Sequence, residues 1–182
     1  MAKLLWRSKI IARVRGQQTL EGMRRAGLNA PGPLSVADRV YIDPTFIWAV
    51  SIGPHTTIAH DVRIIAHDAA IKHLTGYTEV MPVIIGEGCY IGAGTIVLPG
   101  ATVGDGTVIG AGSVVRGNIA AGVVAVGNPA RAIGRAGDLR DRHRQLQTCV
   151  TCFAWKPASK ATTHELEEMQ SALDGHGRFY VP

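Results

Sequence analysis

Two histidines, His67 and His73, lie in a segment that interrupts an otherwise regular chain. Imidazole has an unperturbed pKa close to neutrality, so a positioned histidine can take a proton from a poorly nucleophilic hydroxyl group. The second ring nitrogen of such a base needs a partner that fixes the tautomer, and Asp61, Asp68 or a backbone carbonyl could supply it. The sequence leaves open which of these does so. The alternative interpretation of His67 is a surface histidine without a chemical role.

The elements that would position these histidines follow a six-residue apolar repeat. A helix would return apolar residues every three or four positions and a half-buried strand every two, so neither fits. A period of six predicts a solenoid of stacked short strands, in which one apolar residue per strand, here called the beat residue, faces a narrow interior. Glycine is expected at corners where the backbone needs positive φ. The beat residues are Leu34, Val40, Phe46, Ile52, Ile58 and Ile64, then Ile85, Ile91, Val97, Val103, Ile109 and Val115.

The repeat stops over residues 66–82, which predicts a loop extruded from the coils. Parallel coils pair their backbone groups with the coils above and below, so an insertion need not unravel them. Loops held on a rigid scaffold commonly carry chemistry. The predicted organisation is a helical segment over residues 1–33, the solenoid over 34–134 with the loop at 66–82, and a helical tail over 135–182.

Composition and charge exclude several classes of protein. Of the 182 residues, 46% are apolar and 18% are charged, which argues against disorder. We expect a cytoplasmic protein, because no run has the length of a spanning helix and the N-terminus lacks the features of a signal peptide. The net charge of +5 is concentrated in the two flanks, while residues 34–130 are mildly acidic. No nucleic-acid motif accompanies the arginines, so we expect no nucleic-acid partner.

The flanks predict helices on either side of the repeat. Residues 2–28 suggest two short helices broken near Gly16, with a basic amphipathic face that either covers one end of the solenoid or makes a peripheral contact with an anionic membrane. In the tail, Thr162 and Glu165 form a capping-box pattern for a helix ended by Gly175. Cys149 and Cys152 form a CxxC pair, which alone is weak support for zinc. We interpret them as incidental and expect no metal.

The segments "VIIGEGCYIGAGTIVLPGATVGDGTVIGAGSVV" and "VGNPARAI" resemble the hexapeptide-repeat acyltransferases, in particular the galactoside and maltose O-acetyltransferases and those of polysaccharide biosynthesis. The resemblance covers roughly the middle two-thirds of the chain. It implies an all-β fold, a left-handed parallel β-helix of hexapeptide repeats with short N- and C-terminal helical appendages. The left hand would be an exception to the right-handed rule for parallel crossovers. The resemblance also implies a homotrimer with active sites between neighbouring subunits.

The same resemblance implies a function and a set of site residues. It implies transfer of an acetyl group from acetyl-CoA to a sugar hydroxyl, with His67 at the position of the family's catalytic base. The cofactor arm would lie along Ala93, Gly94 and Ala111. Basic groups near the nucleotide would be Arg116, shifted by one position from the family pattern, and Arg131 of "GNPAR". Weaker candidates for contact with the saccharide acceptor are His73, Tyr77, Tyr90 and Trp48.

Three alternative functions remain at this stage. An N-acetyltransferase acting on an amino sugar would use the same base and cofactor. A γ-class carbonic anhydrase shares the predicted fold and binds zinc through three histidines, but His60, His67 and His73 lie seven and six positions apart, unlike the spacing in that class. A non-catalytic β-helical scaffold is the third alternative. Assays of bound metal and of thioester consumption separate these classes.

Overall fold

The computed structural model describes residues 19–150, 152–153, 161–178 and 180. The chain divides into two compact units, residues 1–136 and residues 137–182. The predicted amphipathic helix over the first residues lies outside the described part of the chain. The first described helix, α1, spans Leu20–Arg25, and the side chain of Thr19 accepts a hydrogen bond from the Gly22 amide at its N-terminus.

Short strands of the first unit form three parallel sheets, which the chain visits in turn. One sheet contains β1 (Ser35–Val36), β4 (Thr57–Ile58), β9 (Tyr90–Ile91), β12 (Val108–Ile109) and β15 (Val123–Gly127), with β16 (Ala130–Arg135) antiparallel at its edge. The second contains β2 (Tyr41–Ile42), β5 (Arg63–Ile64), β10 (Ile96–Val97) and β13 (Val114–Val115). The third contains β3 (Val50–Ile52), β8 (Val83–Ile85), β11 (Thr102–Val103) and β14 (Asn118–Ile119).

The register of these sheets explains the six-residue period. Tyr90 pairs with Val108 and Ile96 pairs with Val114, so paired residues lie three six-residue periods apart. Every beat residue from Ile52 to Val115 is buried, as predicted. Each beat therefore places one branched side chain of each short strand in a shared apolar interior, which is the main source of stabilisation for the unit.

The predicted beat is wrong in the first coil. Leu34, Val40 and Phe46 are only partly buried at the edge of the core. The residues that align with later beats are instead Val36, which pairs with Ile58, and Ile42, which pairs with Ile64. Val36 and Ile42 are still six residues apart, but Ile42 and Ile52 are ten apart because the connection between them contains a 3-10 turn. The first coil is thus displaced by two positions from a strict six-residue count.

Glycine often follows a beat residue directly, as at Gly86 and Gly92, but these glycines are not the ones at positive-φ corners. Positive φ occurs three positions after the beat, as at Gly88 (62°) and Gly94 (68°). The glycine directly after the beat is needed for a different reason, since a Cβ atom on Gly92 would lie 2.5 Å from the backbone nitrogen of Ala111 in the next coil. Three residues other than glycine occupy positive-φ positions in the early coils: Arg39, His55 and Asp61.

The segment over 66–82 leaves the coils as a hairpin. Strand β6 (His67–Asp68) pairs antiparallel with β7 (Glu79–Val80), with His67 opposite Val80. Between them, helix α2 (Lys72–Thr75) ends at Gly76, whose φ of 81° lies in the left-handed region. At the base of the hairpin the Met81 amide donates to the carbonyl of Ala66. The coils resume at β8, so the excursion leaves the sheets in register.

The second unit contains two described helices. Helix α3 spans Ala136–Gln147. Helix α4 spans Thr163–His176 and begins with the predicted capping box of Thr162 and Glu165. Its predicted end is wrong, because Gly175 lies within the helix and the left-handed C-cap is Gly177. Cys149 and Cys152 are exposed, whereas Cys89 is buried in the first unit.

Candidate active site

The imidazole of His67 is held by a carboxylate from an earlier coil. Nδ1 of His67 forms a hydrogen-bonded pair with Oδ2 of Asp43. The side chain of Asp43 is fully buried, while that of His67 retains 30% of its accessible surface. The pair therefore joins an inaccessible orienting group to a ring that solvent or a substrate can reach at the base of the extruded hairpin.

Local sequence explains why Asp43 can be buried as a carboxylate. It directly follows β2, and its Oδ1 accepts hydrogen bonds from the amides of Thr45 (3.1 Å) and Phe46 (3.4 Å), which turns the chain away from the strand. Its Oδ2 accepts from the amide of Ala66 at 3.1 Å, in addition to its bond with His67. A buried charge is tolerated only where such partners replace water, and both oxygens have them.

These contacts set the protonation state of Asp43. Burial alone would raise the pKa of this carboxyl, but the hydrogen bonds from His67, Ala66 and Thr45 outweigh burial, and the pKa lies below its ordinary value. At neutral pH Asp43 is therefore an ionised carboxylate, which can only accept hydrogen bonds. Nδ1 of His67 must then carry a proton, so Nε2 is the nitrogen that can accept a proton from a substrate.

An aromatic pair lies beside His67. The ring of Phe46 contacts the imidazole with a centroid distance of 5.3 Å and a tilt of 54°. Its other neighbour is Trp48, at 6.3 Å in an edge-on arrangement. Trp48 is 65% exposed and lies in the short 3-10 turn Ile47–Ala49. The predicted acceptor contact Trp48 is thus linked to His67 through one intervening ring.

The structure excludes both aspartates that the sequence offered as partners of His67. Asp61 forms a bidentate ion pair with Arg39, with both N–O distances at 2.6 Å. Asp68 caps its own turn by accepting from the amide of Ala70 at 2.7 Å. The residue that sequence reasoning missed is Asp43. Asp43 directly follows Ile42, which pairs with Ile64, and this register places it beside the residues leading to His67. The six-residue count concealed this, because it gave the first coil the wrong phase.

The predicted donor residues meet at one corner of the coils. Ala93, Gly94 and Ala111 are exposed there, with the Gly112 amide bonded to the carbonyl of Ala93 in the preceding coil. The Gly94 amide bonds in the same way to the carbonyl of His60. No heavy atom lies within 4 Å of the Cβ position of Gly94 or Gly112, so this corner presents open backbone. A thin chain with amide groups could lie against it.

The remaining predicted residues lie outside this corner. Arg116 directly follows β13, and Arg131 lies on β16 with one guanidinium nitrogen bonded to the carbonyl of Ala130 at 2.9 Å. Tyr90 points outward from β9, and Tyr77 is 78% exposed beyond α2. His73 is exposed on α2. Among the described residues, no hydrogen bond, ion pair or ring contact joins any of these five side chains to His67.

The three histidines of the carbonic anhydrase alternative have separate environments. The carbonyl of His60 pairs with the next coil, His67 is bound to Asp43, and His73 is on the extruded helix. Within the described ranges, no group of three His, Cys, Asp or Glu side chains could hold a metal ion. The same ranges contain no helix long and apolar enough to cross a membrane.

Comparison with known proteins shows what the chain is similar to. Residues 82–117 match the model described as bacterial transferase hexapeptide (six repeats). The chain is 41% identical over 86 residues to WcaF of Escherichia coli K12, a candidate colanic acid biosynthesis acetyltransferase, covering 46% of this chain and 46% of that protein. The chain spans about half the length of the curated relatives it matches, between 46% and 60%.

Two solved structures are similar over a larger share of the chain. A maltose O-acetyltransferase from Clostridium difficile 630 matches with a TM-score of 0.53 and 27% identity, covering 70% of this chain and 83% of that one. A galactoside acetyltransferase in complex with coenzyme A matches with a TM-score of 0.50 and 25% identity, covering 67% and 71%. The repeat, its sheets and these matches make the chain similar to the hexapeptide-repeat transferases.

Proposed function

We propose that the chain is an acetyl-CoA-dependent O-acetyltransferase that modifies a sugar hydroxyl, with His67 as the general base. The observation that carries the proposal is the buried Asp43 carboxylate bound to Nδ1 of His67, at the base of the extruded hairpin. The names of the maltose, galactoside and colanic acid relatives support an acetyl donor and a saccharide acceptor. An acceptor on the route to a surface polysaccharide is part of this proposal.

In the proposed reaction Nε2 of His67 takes the proton of the acceptor hydroxyl as its oxygen attacks the carbonyl carbon of the thioester. The new C–O bond gives a tetrahedral oxyanion. Its collapse breaks the C–S bond, and the departing CoA sulfur takes the proton from His67, which restores the neutral imidazole. Asp43 holds the ring orientation throughout and stabilises the imidazolium that exists between the two proton transfers.

The donor would lie along the corner formed by Ala93, Gly94 and Ala111. Open backbone at this corner suits the thin pantetheine arm, whose amides can bond to peptide groups. Arg116 and Arg131 are exposed cations suited to phosphate groups. If Arg131 contacts the 3′-phosphate, Arg131→Ala should raise KM for acetyl-CoA by about one to two decades, because a lost hydrogen bond to a charged group weakens binding by ~1.5–3 kcal/mol. The KM for acetyl-dephospho-CoA, which lacks this phosphate, should change much less. Equal changes for both donors would remove Arg131 from that contact.

The acceptor would approach from the side of the hairpin. His73, Tyr77 and Tyr90 are exposed and are proposed as contacts with the saccharide. Each offers a polar group that can bond to sugar hydroxyls, and the tyrosines add an apolar face. The basic N-terminal segment is proposed to make a peripheral membrane contact, and it lies outside the described residues.

A homotrimer with left-handed coils is proposed as the assembled form, on the resemblance to the family. Outward-facing apolar residues on the sheets, such as Ile84 and Ile133 at 45% and 67% exposure, suit burial between subunits. Light scattering at micromolar concentration should then give three times the chain mass of 19.3 kDa. A monomer would contradict this arrangement.

The direct test of the function is release of free thiol from acetyl-CoA in the presence of candidate acceptors. We expect release with maltose or with a methyl galactoside, and an acetyl ester in the product that alkaline hydroxylamine cleaves. A product stable to hydroxylamine, formed only with amino sugars, would replace O-acetylation by N-acetylation. Acetyl-CoA that remains intact across neutral sugars, amino sugars and nucleotide sugars would contradict the proposal.

A further inference from the structure

Trp48 is a large apolar side chain that projects from a firmly held turn. Its neighbours in the 3-10 turn, Ile47 and Ala49, are 3% and 9% exposed, whereas Trp48 itself is 65% exposed. The root of the side chain is packed closely, since a Cβ atom on Gly27 would lie 3.2 Å from Cβ of Trp48. The turn is therefore anchored on both sides, and the indole extends outward from a fixed base.

The same carboxylate fixes the turn and the candidate base. Oδ1 of Asp43 accepts from the amides of Thr45 and Phe46, which lead into the turn, while Oδ2 is bound to His67. Phe46 then contacts both His67 and Trp48 through its ring. The position of the indole relative to the imidazole is thus determined by one buried group and one intervening ring.

The separation between the two rings suits a single bound sugar. The ring distances of 6.3 Å and 5.3 Å place the centroids of the indole and the imidazole at most about 12 Å apart. A ring stacked ~4.5–7 Å from the indole centroid, with a hydroxyl oxygen ~2.6–3.2 Å from Nε2 of His67, can bridge a separation up to this bound. A stacked ring could therefore present a hydroxyl to the base directly.

We propose that the exposed indole of Trp48 is the stacking platform for the acceptor, which is therefore a saccharide that presents the C–H face of a pyranose ring. The inference rests on the proposed role of His67 and specifies what that site accepts. An indole offers a broad apolar face with little loss of conformational freedom, so it orients a ring without bonding to a particular hydroxyl. Trp48 is thus a specificity-determining residue, and Phe46 is a positioning residue.

Binding can be tested separately from catalysis by fluorescence. The chain contains three tryptophans, and replacing Trp6 and Trp155 by Phe leaves Trp48 as the only indole. Maltose, methyl β-galactoside and methyl α-glucoside should each be titrated into this protein, with sorbitol as an acyclic polyol of similar polarity. We expect a saturable change in emission with at least one pyranoside and none with sorbitol. No saturable change with any pyranoside, or an equal change with sorbitol, would overturn the inference.

Kinetics then separates this inference from the proposed function. Trp48→Ala should raise the acceptor KM by about ten-fold, equivalent to about 1.4 kcal/mol, and leave KM for acetyl-CoA unchanged. Trp48→Phe should recover most of the loss, and Leu166→Ala, at an exposed apolar position on α4, should have no effect. An unchanged acceptor KM in an active Trp48→Ala protein would overturn the platform and leave the role of His67 intact.

Subunit contact is the other possible use of an exposed indole. The mass of Trp48→Ala should therefore be compared with that of the wild type by light scattering, and we expect the two to agree. A change in mass would place the indole in an interface and overturn its assignment to the acceptor. If the wild type acetylates no sugar while Trp48 fluorescence still responds to a pyranoside, the proposed function fails and the binding platform remains.

Discussion

Asp43→Asn is the substitution that most sharply examines the carboxylate bound to His67. Asparagine keeps the shape of the side chain but replaces one acceptor oxygen by an NH2 donor. If its oxygen stays with the amides of Thr45 and Phe46, the NH2 group faces the Ala66 amide and the imidazole. The buried Ala66 N–H then loses its acceptor, which costs about 2 kcal/mol, or ~4–8 °C in Tm for a chain of this size.

The effect on turnover should be larger than the effect on stability. An amide that donates to Nδ1 favours the tautomer with the proton on Nε2, and that nitrogen can no longer act as a base. We expect kcat to fall by roughly 10²–10⁴ with little change in KM for acetyl-CoA. Calorimetry and thiol-release kinetics provide the two measurements. Asp68→Asn is the matched control, because Asp68 is adjacent to His67 but bonds only its own turn in the described contacts.

Two outcomes would refute this reasoning. A folded Asp43→Asn protein with near-wild-type kcat would show that the tautomer of His67 does not limit the reaction. Equal losses in Asp43→Asn and Asp68→Asn would indicate a general electrostatic effect of the carboxylates rather than orientation through a hydrogen bond.

Further predictions concern stability. Gly94→Ala should lower the free energy of unfolding by about 1–2 kcal/mol, because only its left-handed backbone is strained. Gly92→Ala should lower it clearly more, since the added Cβ would lie 2.5 Å from the backbone nitrogen of Ala111. Equal shifts in the urea midpoint of the two variants would contradict this distinction. The pKa of Asp43 is lowered in the folded state, so its contribution is complete above the ordinary aspartate pKa of about 3.9 and is lost as the pH falls through the folded value. Denaturant titrations below about pH 4 should therefore show a steeper loss in the wild type than in Asp43→Asn, and parallel pH dependences would contradict it.

The sequence predicted the repeat well because its determinant is local. From Ile52 to Val115 a single branched residue per strand must fill a narrow interior, and this requirement recurs at a fixed spacing. The interruption at 66–82 was equally visible, because a loop that leaves the coils does not need the beat. The hand of the coils has no such signature, since the same inward positions would serve either hand.

The partner of His67 could not be predicted by proximity in the sequence. Asp61 and Asp68 are closer along the chain, but one is bound to Arg39 and the other to its own turn. Asp43 reaches His67 because adjacent coils place Ile42 beside Ile64. Finding it required the true phase of the first coil, where corner lengths differ and a six-residue count is displaced by two positions.

The glycines show a second limit of sequence reasoning. Glycine was predicted at corners that need positive φ, but two physical causes produce glycine in such a coil. At Gly94 the cause is the left-handed backbone, while at Gly92 it is the approach of the next coil. Only the positions of the neighbouring coils distinguish a glycine required for its backbone conformation from one required for lack of space.

The central claim is that His67 removes the proton from the acceptor, and turnover of His67→Ala tests it most directly. With a sugar acceptor established by thiol release, kcat should fall by roughly 10²–10⁴, while acetyl-CoA affinity and oligomeric mass remain unchanged. His60→Ala, at an exposed histidine of an earlier corner, is the control and should retain activity. A His67→Ala protein with near-wild-type turnover would contradict the account.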